Sequence, residues 1–193
     1  MSTPNISPLA PAGFPDMPAI AGVRIATHAC GMRYRGRDDV LLVELAVGTA
    51  VAGVFTRSAT ATAEVGWCRT ALSECQGSQG SGARALLVNA GNANAFTGCH
   101  GEEAVRRIVR ATAALIGCSE TQVFRAATGV IGERLPDEKI TAALAFLFET
   151  LRPGAWETAA RAIMTTDTFD KGCTRGAPID VFRRRHVPKA RIA

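Results

Sequence analysis

The chain has 193 residues, of which 47% are hydrophobic and 20% charged, a balance that excludes a disordered or fibrous protein. Its formal net charge is +5, but the basic residues that follow Phe182 account for all of it, so the remainder indicates no basic groove for nucleic acid. No apolar run approaches the roughly 20 residues of a membrane span, and the N-terminal segment lacks the basic start of a secretory signal. We therefore expect a cytoplasmic protein that binds neither nucleic acid nor membranes.

Three regions differ in composition. Residues 1–19 are rich in proline and are predicted to form an irregular leader. Residues 20–180 contain all the predicted strands and helices and fit one domain by length. Residues 181–193 form a basic tail, which resembles the solvated charge runs common at chain termini.

The first half of the domain contains three predicted strands. Residues 39–45 (DVLLVEL) and 50–55 (AVAGVF) are short apolar runs on either side of a turn at Gly48, which is the pattern of two adjacent strands. After a loop rich in glycine and serine, residues 84–89 (RALLVN) are apolar at all their inner positions. This pattern predicts a strand buried on both faces.

Helices dominate the second half. Residues 102–116 carry apolar side chains at three- and four-residue spacing, and Gly117 is a typical helix stop. A short strand is predicted at residues 123–127, and Pro136 begins a second helix with an apolar stripe. That stripe comprises Ile140, Leu144, Leu147 and Leu151. A third helix is predicted at residues 156–163, and interleaved strands and helices indicate a mixed, layered α/β fold.

The six cysteines show no metal-binding pattern. They lack a C-x-x-C pair and are too sparse for a disulfide scaffold, so we expect them to be reduced and no metal site to be present. Neither a Walker loop nor a dinucleotide-binding glycine motif occurs. The three histidines lie far apart in sequence and no nucleophile elbow is present, which argues against a self-contained hydrolase triad.

Three polar segments are candidates for chemistry. Residues 89–98 (NAGNANAFTG) follow the buried strand and are either a tight loop or a loop that presents polar groups to a ligand. Thr128 and Gly129 follow the strand predicted at residues 123–127. They are either a plain strand exit or a pair of donors for the charge of a tetrahedral acyl-transfer intermediate. Residues 164–168 (MTTDT) are either helix caps and turns or contacts to a polar, amino-acid-like substrate.

Six segments, taken together and in order, resemble the ornithine acetyltransferase family. Ala90 and Ala127 stand where the family usually has serine, and Phe96 where a small residue is common. The matching segments are residues 22–24, 37–39, 52–57, 89–98, 127–136 and 162–168. Several long and unusual strings in the right order are more specific than any one motif.

The resemblance implies a reaction and the residues that serve it. Members of the family transfer an acetyl group from N-acetylornithine to glutamate, and many also use acetyl-CoA as a co-substrate, with no metal or resident cofactor. Their precursor cuts itself before a threonine whose hydroxyl becomes the nucleophile and whose α-amino group can act as base. The residues that match Thr128 and Gly129 form the oxyanion hole, and the residue that matches Thr165 contacts the substrate.

The resemblance also implies an architecture and an assembly. The family has a layered α-β-β-α sandwich, shared with self-processing aminopeptidases, and this chain matches its α-chain part, incomplete at the C-terminus. The processed α chain assembles with a β chain that bears the N-terminal threonine, commonly as a hetero-oligomer with two of each.

The resemblance ends near Asp180. There the family continues to a Lys-Gly-Ser-Gly-Met-Ile segment and an Ala-Thr cleavage point, whereas this chain becomes arginine-rich. We expect residues 181–193 to be a mobile extension of a truncated or frame-shifted product, and the chain alone to be inactive without the threonine nucleophile. The alternatives are a self-processing aminopeptidase of the same fold and a non-catalytic fragment or basic-tailed binding protein.

Overall fold

The computed structural model describes residues 6–75, 82–176, 179–184 and 187–192. Its ten main elements are β1 (Val23–His28), β2 (Val40–Leu45), α1 (Ala63–Cys75), β3 (Ala85–Asn92), α2 (Gly98–Ile116), β4 (Val123–Val130), α3 (Asp137–Glu149), α4 (Trp156–Ala162), β5 (Ile179–Arg184) and β6 (Val187–Ile192). The predicted mixed α/β character is confirmed. A short 3-10 turn at Glu120–Gln122 precedes β4.

Four strands form the central sheet in the order β1-β2-β3-β4. The β1–β2 and β2–β3 pairs are antiparallel, whereas β3 and β4 are parallel. Parallel neighbours need a crossover connection, and α2 supplies it. The ends of β3 and β4 therefore lie side by side at the same edge of the sheet.

Helices cover both faces of this sheet. On one face α1, α2 and α3 bury the larger core, in which Leu42, Leu87 and Ile108 are fully buried. On the other face α4 packs through Ala155, Ala159 and Ala162 on β1 and β2. No helix in the described part of the chain is long and apolar enough to cross a membrane.

The two long predicted helices are confirmed. The buried side of α2 includes Val105, Ile108 and Val109, and Gly117 ends the helix in the left-handed conformation with its amide bonded to Ala113. α2 begins four residues earlier than predicted, at Gly98. The whole predicted stripe of α3 is buried, including Leu151 just beyond its last residue.

The N-terminal half differs from the prediction in three elements. Residues 50–55 are irregular instead of forming a strand, although the turn at Gly48 is present with φ +83. An isolated apolar run cannot form a strand without a hydrogen-bonding neighbour, and β2 pairs with β1 and β3 instead. The strand β1 and the helix α1 were not predicted.

β5 begins two residues before the basic tail, and β6 lies within it. They pair antiparallel with each other, from Ile179 opposite Ile192 to Arg184 opposite Val187, and form a sheet separate from the central one. The predicted domain boundaries and the mobility of the tail stay predictions.

Candidate functional site

Thr128 and Gly129 lie inside β4. The prediction that they follow the strand is wrong, because β4 continues to Val130 and pairs with β3 as far as Asn92. The register sets Thr128 opposite Ala90 and Gly129 opposite Gly91. The candidate site therefore sits at the edge where the parallel strands β3 and β4 end.

Gly129 is in a conformation that other residues rarely adopt. Its φ is +135, and a Cβ at this position would lie 2.3 Å from the carbonyl carbon of Gly91 and 2.5 Å from the amide nitrogen of Asn92. Gly91 is itself at φ +99. The two backbones approach so closely that only glycine fits at position 129.

The regular ladder breaks directly after the Gly91–Gly129 pair. Asn92 pairs with both Thr128 and Val130, which is a β-bulge. Beyond it the amide of Ala93 donates to the Val130 carbonyl at 2.8 Å, and the Gly132 amide donates to Ala95 at 2.9 Å. Bulges redirect the backbone and are common next to functional sites.

The three asparagines of the segment at residues 89–98 are buried and hydrogen-bonded within the protein. Asn89 donates to the Asn92 carbonyl at 2.8 Å, and Asn92 accepts from the Asn94 amide at 2.7 Å. Asn94 lies at φ +49, a conformation that asparagine tolerates, and donates to Glu64 at 2.9 Å. The prediction that the whole segment follows the strand is wrong, because β3 continues to Asn92 and α2 begins at Gly98. For the residues between them, these contacts favour the tight loop of the two interpretations offered.

A buried ion pair that no sequence motif predicts lies beneath this loop. Arg125 of β4 donates to Leu87 at 3.0 Å and to Asn89 at 2.9 Å, and its guanidinium lies 3.9 Å from Glu64 of α1. Complete burial lowers the pKa of Arg125 to about 10, and the charge of Glu64 opposes this shift. Because neither residue belongs to a recognisable motif, no signal in the sequence pointed to the pair.

Thr128 faces away from that ion pair. Side chains alternate along a strand, so Thr128 and Arg125 point to opposite faces of the sheet. Thr128 is half-buried, and its hydroxyl has no hydrogen bond to any residue in the part of the chain that the structure describes. The hydroxyl is therefore available to donate to a ligand on the face of the sheet that α4 covers.

Thr165 lies just beyond α4, in a bend that carries charges of both signs. Its amide donates to Asp167 at 3.3 Å, and Lys171 forms an ion pair with Asp167 at 2.5 Å. The hydrogen bond from Lys171 lowers the pKa of Asp167. The Thr165 side chain is half-buried and is not hydrogen-bonded to Thr128.

An open cavity of about 420 Å³ adjoins this bend. Arg37 reaches it, donates to the Met164 carbonyl and stacks 3.9 Å from the Tyr34 ring centroid. The cavity is lined by Arg37, Asp38, Thr158, Arg161, Met164, Thr168, Phe169 and Asp170. Its two arginines and two aspartates suit a small ligand that carries both charges.

A larger cavity, of about 830 Å³, lies on the opposite side of the sheet from Thr128. It is bordered by residues 58–62, by α1 and by the start of α2, with Phe96 exposed at its rim. No group of three or more potential metal-binding side chains occurs within the described residues.

Comparison with known proteins shows the family. The model of the ArgJ family matches residues 24–187. An arginine biosynthesis bifunctional protein ArgJ of Bradyrhizobium diazoefficiens is 52% identical over 170 residues, which are 88% of this chain and 40% of that protein. Its counterpart in Ruegeria pomeroyi is 51% identical over 176 residues, 91% of this chain and 42% of that protein.

Solved structures agree with the sequence comparison. Ornithine acetyltransferase of Mycobacterium tuberculosis complexed with ornithine superposes with a TM-score of 0.68 at 34% identity, covering 76% of this chain and 77% of that one. The Bacillus halodurans ArgJ protein gives a TM-score of 0.66 at 28% identity, covering 77% and 74%. The predicted fold type is thus confirmed. The chain spans about 40% of the length of the curated relatives it matches, and it belongs to the ArgJ family.

Proposed function

We propose that this chain supplies the oxyanion hole and part of the substrate pocket of an N-acetyltransferase. The enzyme transfers an acetyl group from N-acetylornithine to glutamate in arginine biosynthesis. The observation that carries the proposal is the Thr128–Gly129 pair. Its hydroxyl has no hydrogen bond among the described residues, and it stands beside a glycine whose φ is +135 and which has no room for a side chain. Relatives about 50% identical over nine-tenths of this chain are bifunctional proteins of arginine biosynthesis.

The proposed chemistry divides between two chains. The hydroxyl oxygen of a threonine at the start of a β chain attacks the acetyl carbonyl of N-acetylornithine and gives its proton to that threonine's own α-amino group. The carbonyl oxygen becomes negative, and the Thr128 hydroxyl and the Gly129 amide donate hydrogen bonds to it. The C–N bond then breaks, the proton passes to the departing ornithine amine, and the acetyl group remains on the threonine. The amine of glutamate then attacks the carbonyl carbon of this ester and gives a proton to the α-amino group. The ester C–O bond breaks, the proton passes to the threonine oxygen, and N-acetylglutamate leaves with the free threonine hydroxyl restored.

Thr165 is proposed to contact the substrate. It lies at the end of α4, and the adjoining cavity presents arginines and aspartates to a zwitterionic amino acid. The Mycobacterium tuberculosis relative is complexed with ornithine, which has this character.

Acetyl-CoA is proposed as a second acetyl donor, and no resident cofactor is needed. We place the enzyme in the cytoplasm, as a hetero-oligomer of two α and two β chains.

The test is a kinetic comparison in the enzyme assembled from this chain and a threonine-led β chain. Thr128→Ala removes one oxyanion donor and should lower kcat by about 10² to 10³ while leaving KM nearly unchanged. Thr141→Ala is the control, because within the described part of the chain the Thr141 hydroxyl donates to carbonyls of its own helix alone. If Thr128→Ala kept kcat within twofold of the unmodified enzyme, the proposed role of the pair would be wrong.

A further inference from the structure

We infer that Asn92 is a positioning residue that holds the oxyanion hole in shape. The inference rests on the proposed function, because it concerns how Thr128 and Gly129 are kept in place. Asn92 does not touch the reacting atoms in this scheme. Its side chain connects the loop that follows β3 to the chain that follows β4.

The hydrogen bonds of Asn92 join the end of β3 to the segment that follows β4. Its side-chain amide donates to the carbonyls of Glu133 at 3.1 Å and Arg134 at 3.2 Å, which lie just beyond β4. Its side-chain oxygen accepts from the Asn94 amide at 2.7 Å. Its backbone forms the bulge, paired with Thr128 on one side of Gly129 and Val130 on the other. One side chain therefore connects the end of β3 to the chain that leaves β4.

These hydrogen bonds matter because glycine has little conformational preference of its own, so its neighbours must fix the direction of its backbone N–H. Gly129 has no side chain, and its φ of +135 is maintained by its surroundings. An oxyanion donor stabilises the transition state only if its N–H points at the developing charge. A displacement of about 1 Å in a catalytic group can cost about 10² in rate.

Two further buried residues, Asn89 and Arg125, hold Asn92 in place through hydrogen bonds. Asn89 donates to the Asn92 carbonyl at 2.8 Å, and Arg125 donates to the Asn89 side-chain oxygen at 2.9 Å. All three residues are buried, with Asn92 only 4% exposed. These links join buried polar groups, so breaking one of them leaves a buried group without a partner and favours the single geometry in which the links are made.

The experiment compares Asn92→Ala with a matched variant in the assembled enzyme. Asn94→Gly removes a neighbouring buried amide that bonds to Glu64 and Gly101 instead of the chain after β4, and glycine accepts the φ of +49. Both variants should lower the Tm. Only Asn92→Ala should lower kcat, by at least about tenfold with KM within twofold, as expected for a misplaced donor. Should Asn92→Ala fail to fold, Asn92→Asp retains the acceptor for the Asn94 amide, loses the two donations, and should show the same kcat loss.

A double-mutant cycle with Thr128→Ala separates positioning from general structural damage. If Asn92 acts through the hole, Asn92→Ala should cost far less in kcat when Thr128 is already alanine. Fully multiplicative losses, or an Asn92→Ala kcat within twofold of the parent, would overturn this inference while leaving the proposed function intact. A Thr128→Ala variant with unchanged kcat would instead overturn the proposed function, and the role of Asn92 with it.

Discussion

Gly129 and Gly132 are three residues apart, both at positive φ, yet their surroundings differ. A Cβ on Gly129 would meet the Gly91 and Asn92 backbones at 2.3 to 2.5 Å, whereas a Cβ on Gly132, at φ +84, would meet nothing within 4 Å. We predict that Gly129→Ala lowers the free energy of unfolding by roughly 2 kcal/mol or more, through clash and strain. Gly132→Ala should cost only about 1 kcal/mol, from strain alone. Denaturant unfolding of both variants checks this, and equal losses would contradict it.

Cys30 is predicted to be an unreactive thiol. Burial, followed by the charges of Asp39 and Asp38, raises its pKa from 9.0 to about 12. Because the folded pKa exceeds the unfolded one, the contribution of the neutral thiol to stability is complete below pH 9 and is lost as the pH rises toward 12. At pH 8, iodoacetamide should modify the exposed Cys99 and Cys173 well before Cys30. Peptide mass spectrometry gives the order, and early labelling of Cys30 would refute the prediction.

At the level of elements, the sequence was informative where apolar periodicity was strong. α2 and α3 have regular stripes and clear stop signals, and both were predicted. The buried residues of α1 have helical spacing too. They begin with the charged Glu64 and include the small side chains of Cys68 and Ala71, so the sequence shows no clear apolar stripe there. The run at residues 50–55 looked like a strand, yet Val54 is 97% exposed. Side-chain type alone could not show which apolar runs have a strand beside them.

The candidate site was predictable only in part, for a similar reason. The residue types at 128 and 129 suggested donors, but the bulge and the close approach to Gly91 depend on the β3–β4 register. That register joins segments nearly forty residues apart in sequence. The role of Asn92 likewise depends on carbonyls that lie beyond the next strand.

The link between α1 and β4 is a buried ion pair that is incompletely satisfied. Glu64 Oε2 and Arg125 Nε have no hydrogen bond within the described residues. Arg125→Met should lower the free energy of unfolding by about 3 to 5 kcal/mol, because it leaves Glu64 buried and uncompensated. Adding Glu64→Gln removes that charge and preserves an acceptor for Asn94, so the double variant should recover at least half of the loss. Calorimetry of the single and double variants measures the coupling, and additive losses would contradict it.

At the scale of the whole molecule, the central sheet and the β5–β6 hairpin differ in support. Helices cover the sheet on both faces, whereas β5 and β6 pair only with each other among the described strands. An isolated two-stranded hairpin is marginally stable in water. Brief trypsin treatment should therefore cut at Arg183, Arg184 or Lys189 while α2 and β4 stay intact, as intact mass would show. A hairpin that resists cleavage as long as the sheet would refute this.

The central claim is that the active site is divided between this chain and a β chain that begins with threonine. The most direct test is to measure acetyl transfer from N-acetylornithine to glutamate, once with the 193-residue chain alone and once with the β chain added. The chain alone should show no transfer above background, because an oxyanion hole acts only after a nucleophile has attacked. A β chain can be made from the part of the Bradyrhizobium diazoefficiens relative that lies beyond the match, cut so that it begins with a threonine. Adding it should restore activity that depends on Thr128. Robust transfer by the isolated chain, or restored activity indifferent to Thr128→Ala, would contradict the proposed role of this chain.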